Sequence, residues 1–192
     1  MILFIDACTR KNSRTRELAE ALLLGVAKDE SAIERVNLYE LDLCVVDEDV
    51  IRKRDKALSL GDFSDSYYDV AKQFAKADMI IIASPYWDLS FPAVLKLYIE
   101  NISVNGITFE YDENGVPHGF CRAEKLYYVT TAGGEIGKYN FGYDYVKTVS
   151  MGLYGVKDTT CIRAVGLDMA TVDADKVLEN AKKEIEKYGR KI

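Results

Sequence analysis

Cys8 and Arg14 stand six positions apart in Cys8-Thr9-Arg10-Lys11-Asn12-Ser13-Arg14-Thr15, directly after a short apolar run. Two chemistries suit a C-x5-R-T stretch in that place. A cysteine whose pKa is lowered by a helix N-terminus and an arginine attacks phosphate esters. Alternatively, the loop only holds a phosphate. The unpaired N–H groups of a strand-to-helix turn, the hydroxyls of Ser13 and Thr15 and the charge of Arg10 or Arg14 together suit a dianion.

The first chemistry also needs a general acid to protonate the leaving oxygen. In the low-molecular-weight phosphatases, whose loop also follows the first strand, that acid is an Asp followed by Pro. The prolines here, Pro85, Pro92 and Pro117, follow Ser84, Phe91 and Val116. Those enzymes begin the loop directly at the strand and carry a Gly within it. Here Asp6 and Ala7 intervene and the loop has no Gly. A phosphatase using Cys8 and Arg14 is the weaker alternative, and a phosphate cradle is the expectation.

Two further segments carry unusual chemistry. Ser84-Pro-Tyr-Trp-Asp-Leu-Ser-Phe91 puts Tyr86, Trp87, Leu89 and Phe91 on a loop. Large apolar groups clustered there need a flat ligand or another chain to cover them. Thr131-Ala-Gly-Gly134 removes side chains after a strand, so backbone can approach a ligand and donate N–H bonds. No G-x-G-x-x-G fingerprint opens the chain, which argues against a dinucleotide-dehydrogenase domain.

The elements that must position these loops follow from the apolar pattern. Ile2–Ile5, Ile33–Leu38, Met79–Ala83, Leu126–Thr130 and Thr159–Val165 read as strands. Helical spacing covers Ser13–Ala27, Ser66–Ala77, Pro92–Ile102, Tyr143–Tyr154 and Asp173–Tyr188, with a short helix around Asp47–Lys56 in the charged stretch between Asp42 and Asp65. Ser13 or Thr15 caps the first helix, and Glu17 suits its first turn. Ile107–Tyr111 and the Asn114-Gly115 turn mark a hairpin within residues 106–119. Buried strands separated by helices imply a parallel sheet covered on both faces, with ligands at the C-terminal strand ends. The three loops lie at such ends and should converge.

The totals set limits. The 192 residues, 48% hydrophobic and 29% charged, suit a single domain over 1–192. A net charge of −6 argues against a nucleic-acid partner, although Arg10, Lys11, Arg14 and Arg16 make a local basic spot. Cys8, Cys44, Cys121 and Cys161 are scattered and His118 is the only histidine, so neither a zinc site nor a disulfide framework is expected. No signal-peptide pattern and no membrane-spanning apolar run is visible, and the expected location is the cytoplasm.

With these loops in place the chain resembles the flavodoxin-like FMN-dependent NAD(P)H oxidoreductases, most closely the azoreductase and quinone-reductase branch. The matching pieces are "NSRTRELAE", "IIIASPYWDLSFPAVLKLYIENI", "GITFEYDENG" and "VTTAGG", in order and at family spacing over most of the chain. The resemblance implies a doubly wound α/β fold with five parallel strands in the order 2-1-3-4-5, plus the hairpin. It implies non-covalent FMN, with its phosphate held by Ser13, Arg14 and Thr15 and with Arg10 or Cys8 at the near end. Pro85, Tyr86, Trp87, Asp88 and Leu89 would line one edge of the ring, and Thr131, Ala132, Gly133 and Gly134 the other side. It also implies NAD(P)H as donor, a quinone, azo or nitro-aromatic acceptor, a ping-pong cycle and a homodimer with the site at its interface. No side chain acts as a covalent nucleophile in such a scheme; a non-catalytic flavodoxin-like electron carrier is the main alternative. Asp88 stands where the azoreductases usually carry Asn, and Ala132 where they carry a more polar residue.

Overall fold

The structure, a computed structural model, describes residues 1–189. Its elements are β1 (Ile2–Asp6), α1 (Arg14–Val26), β2 (Ile33–Asn37), α2 (Glu48–Leu60), α3 (Asp69–Lys76), β3 (Met79–Ala83), α4 (Ala93–Ile102), β4 (Phe109–Tyr111), β5 (Pro117–Gly119), β6 (Lys125–Thr131), α5 (Tyr143–Gly152), β7 (Asp158–Ala164) and α6 (Ala174–Gly189). The main sheet is parallel and runs β2-β1-β3-β6-β7. With the antiparallel hairpin β4-β5 set aside, this is the expected 2-1-3-4-5 order. The chain reverses its direction of travel between β1 and β3, which opens the crevice at their C-terminal ends.

The central strands β1 and β3 are apolar on both faces because both faces are covered, whereas the edge strand β2 exposes Glu34 and Arg35. Ile2 and Phe4 pack with Leu18 and Leu22 of α1 and Leu178 and Ile185 of α6. Leu3 and Ile5 point the other way, into a second core with Phe74 of α3 and Tyr98 of α4. One strand thus serves two cores by alternation alone.

Some boundaries differ from the sequence expectation. The helix in the charged stretch is longer than expected: Asp47 caps α2 through Val50 N (3.0 Å), and Gly61 at φ +63° ends it. Ala57 is its only buried residue, so its apolar period is faint. Residues 66–68 form a 3-10 turn before α3 begins. The expected strand from Ile107 shortens to β4, because the Ile107 and Thr108 amides both donate to Val104 O (3.1 Å each). In the hairpin turn, Asp112 Oδ1 accepts from Asn114 N (2.8 Å) and Val116 N (2.9 Å), and Gly115 takes φ +75°. Gly119 lets the hairpin dock: a Cβ there would lie 2.0 Å from the Tyr154 carbonyl carbon. No described helix is long and apolar enough to cross a membrane.

Candidate active site

The first loop is shaped from beneath by one ion pair. Asp6, at the end of β1, is buried, and its Oδ1 accepts from Cys8 N (2.8 Å). Its Oδ2 accepts from Arg16 Nε. Arg16 also donates to the carbonyls of Arg10 and Lys11 (2.9 Å each) and of Cys8 (2.8 Å). Burial opposes its charge, and Asp6 outweighs that, holding the guanidinium above its ordinary value. These contacts turn the loop's carbonyls inward. None of the amides from Thr9 to Thr15 has a protein acceptor among the described residues. Ser13 Oγ caps α1 by accepting from Arg16 N (3.3 Å). A run of free N–H groups at a helix start is a strong anion receptor.

Cys8 belongs to the core rather than to this receptor. Its side chain is 2% exposed, packs beneath α1, and donates to Ala83 O (3.6 Å). Burial, reinforced by the Asp6 charge, pushes the thiol up to about 12. Ser13 and Arg16 pull the other way and lose. A thiol in that state is no nucleophile at neutral pH, which removes the phosphatase alternative. Of the two residues expected at the near end of a phosphate, Arg10 lines the cleft, with Thr9 and Asn12 beside it, and Cys8 does not.

The second loop continues the sheet before it turns. Ser84 N donates to Val129 O (2.9 Å) and Tyr86 N to Thr131 O (3.0 Å). Trp87 and Ser90 then bond each other in both directions, at 3.1 and 2.7 Å. Between them Asp88 (φ +49°) and Leu89 (φ +66°) form a tight left-handed turn without glycine. Each left-handed non-Gly residue costs about 1–2 kcal/mol, a strain of the kind found at ligand loops. The turn leaves the Asp88 and Leu89 amides without a protein acceptor among the described residues. It also leaves Trp87 42% and Leu89 53% exposed. Tyr86 OH donates to Tyr139 O (2.8 Å), tying this loop to the segment that precedes α5.

The third loop is joined by a fourth. Thr131 Oγ1 bonds Thr15 Oγ1 at 2.6 Å, so two expected site residues from distant loops touch. Gly166, Leu167 and Asp168, after β7, donate from their amides to Gly134, Ala132 and Gly133 carbonyls (3.1, 3.1 and 2.9 Å). The room left by Gly133 is filled by Asp168: a Cβ at Gly133 would lie 2.4 Å from Oδ2. Arg14 Nη1 reaches across to Asp168 Oδ1 (3.0 Å) and Leu167 O (3.1 Å).

A cleft of about 280 Å³ lies where these loops meet. Arg10, Ser13, Arg14, Thr15, Pro85, Tyr86, Trp87, Thr131, Ala132 and Gly133 line it, as the sequence reading expected them to converge. Asp88, Leu89 and Gly134 lie outside the lining, with Cys8 beneath it. Leu167 and Asp168 line it unforeseen. Their only sequence signal is position, directly after the last strand. His118 sits on the exposed hairpin beside Asp112 (3.4 Å), outside the cleft lining. The donor set fits a flavin mononucleotide: free amides and arginines for a phosphate, exposed aromatics for a ring, and the free amides of Asp88 and Leu89 directly after Trp87.

Comparison with known proteins agrees with this geometry. Residues 1–189 match a family model described as a flavodoxin-like fold. FMN-dependent NADH:quinone oxidoreductase 2 of Clostridium acetobutylicum is 33% identical over 189 residues, 93% of this chain and 92% of the relative. The FMN-dependent NADH:quinone oxidoreductase of Coprothermobacter proteolyticus is 33% identical over 203 residues, 100% of this chain and 98% of the relative. The crystal structure of an azoreductase from Bacillus anthracis shares the fold, with a TM-score of 0.83 at 24% identity over 100% of this chain and 99% of that one. The chain therefore belongs to the flavodoxin-like family that includes the FMN-dependent NADH:quinone oxidoreductases.

Proposed function

We propose that the protein is an FMN-dependent NADH oxidoreductase that reduces quinone, azo or nitro-aromatic acceptors by a ping-pong cycle. The observation that carries this reading is the run of free amides from Thr9 to Thr15, on a loop that lines the same cleft as Tyr86 and Trp87. FMN, when bound, supplies two-electron transfer between donor and acceptor. The protein's own work is to hold and orient. The first-loop amides, with Arg10, Arg14 and Thr15, receive the phosphate. Tyr86 and Trp87 flank the ring with Pro85, and Thr131, Ala132 and Gly133 close the opposite side. Asp88, Leu89 and Gly134 follow the lining residues Trp87 and Gly133 and have amides without a protein acceptor among the described residues. Where a bound ring reached them, they would stabilise negative charge on its pyrimidine edge, as donors do in an oxyanion hole. Donor and acceptor would use the same exposed face in turn, which is why the cycle is ping-pong.

Trp87 and Leu89, together with the stacked pair Tyr139 and Phe141 (5.7 Å between ring centres), leave an apolar rim that a second copy of the chain would cover. The working unit on this reading is a cytoplasmic homodimer.

The test begins with the purified protein. Bound oxidised flavin absorbs at about 450 nm, and NADH should bleach that band anaerobically before a quinone restores it. Parallel double-reciprocal plots are expected for the two substrates, and light scattering should give twice the chain mass. A colourless protein that refuses added FMN would sink the assignment. Intersecting plots would remove the ping-pong cycle alone.

A further inference from the structure

Asp168 puts a carboxylate on the wall of a cleft otherwise suited to an anion. Its position is fixed from two sides. Its backbone amide donates to Gly133 O (2.9 Å), and its Oδ2 fills the room that a Gly133 side chain would occupy. Its Oδ1 accepts from Arg14 Nη1 (3.0 Å), the arginine nearest the start of α1. The Arg14 and Asp168 side chains are 45% and 70% exposed, and an ion pair that open adds little to stability. Arg14 does not depend on it for direction either, because the same Nη1 also donates to Leu167 O (3.1 Å). A pair that neither stabilises the fold nor is needed to aim the arginine still sets the local charge.

We propose that Asp168 sets the strength of the phosphate subsite: it competes with the ligand phosphate for Arg14 and opposes its charge. The cofactor is then held less tightly than the free amides and arginines alone would hold it. The inference rests on the reading that the first loop takes the phosphate of FMN. With an ordinary hydrogen bond on each side of the guanidinium, a phosphate reached by Arg14 would lie about 7 Å from the carboxylate. At the high effective dielectric of an open cleft, removing one negative charge at that distance strengthens dianion binding about 5–10-fold. Salt screens such an interaction over about 10 Å at 0.1 M and over about 3 Å at 1 M.

Asp168→Asn isolates the charge, since the amide keeps an Oδ1 acceptor for Arg14. The full-length protein, stripped of flavin, is titrated with FMN and with riboflavin at low and high salt, following quenching of flavin fluorescence. The variant should bind FMN about 5–10-fold more tightly than the wild type at low salt. The gain should shrink at high salt, and riboflavin, which lacks the phosphate, should bind both proteins alike. Unchanged or weaker FMN binding by the variant would overturn the inference, and so would an equal gain for riboflavin. Wild-type protein that binds neither flavin would remove the functional reading and this inference with it. Flavin binding without a charge effect removes the inference alone.

Discussion

Replacing Arg16 by Met should unlock the first loop and cost the fold a measurable share of its stability. Arg16 pairs with Asp6, and their side chains are 26% and 10% exposed. Breaking a fully buried pair by removing one partner costs 3–5 kcal/mol, so this partly buried case falls near 3 kcal/mol. The three loop carbonyls that Arg16 also holds turn to water and add little. For a domain of this size 1 kcal/mol shifts Tm by about 2–4 °C, so Arg16→Met should melt about 6–12 °C lower. The source of the cost is the stranded Asp6 carboxylate. Asp6→Asn added to Arg16→Met should therefore recover about 1–2 kcal/mol. Arg16→Lys should fall between wild type and Met, because one ammonium cannot reproduce a planar fork that serves four acceptors. Thermal and urea melts of the four proteins at neutral pH give the comparison. A shift below about 3 °C for Arg16→Met, or a double variant no better than the single, would refute the reasoning.

Gly119→Ala drives a Cβ into the Tyr154–Gly155 backbone, which cannot swing aside. It should cost at least about 2 kcal/mol, and a wild-type melting curve would contradict the docking of the hairpin. Cys8→Ala removes a core thiol and should cost about 1 kcal/mol while flavin affinity stays put; lost flavin binding would return Cys8 to the site. Burial raises Cys8 and Cys121 from 9.0 to about 12 and Cys161 to about 11. Above pH 9 the unfolded chain releases thiol protons that the folded chain keeps, so this contribution to stability falls as pH rises through that window. The buried Tyr128 and Tyr154 hydroxyls, also raised by burial, act in the same sense. A urea midpoint that climbs between pH 9 and about 11 would speak against it.

The sequence alone determined the sheet and the three loops that leave it. Runs such as Met79–Ala83 are apolar at every position, which only a strand covered on both faces tolerates, and that fixes the parallel α/β class. Ser13, Tyr86, Trp87 and Gly133 were legible because local rules put caps, loop aromatics and glycines next to strand ends. The extent of α2 was not legible, since only Ala57 faces the core and a surface helix leaves almost no apolar period.

Tertiary structure decided everything that joins residues far apart in the chain. Arg14 meets Asp168, and Thr15 meets Thr131, across separations that no local pattern encodes. Arg16 looked like one more charge in a basic spot until folding placed Asp6 beneath it. The fate of Cys8 turned on the same contrast. Its spacing to Arg14 is a local fact and suggested a nucleophile; its burial beneath α1 is a global one and makes it a neutral core thiol. Spacing along a chain gives reach, whereas pKa depends on solvent and neighbouring charge, and only the packed structure supplies those.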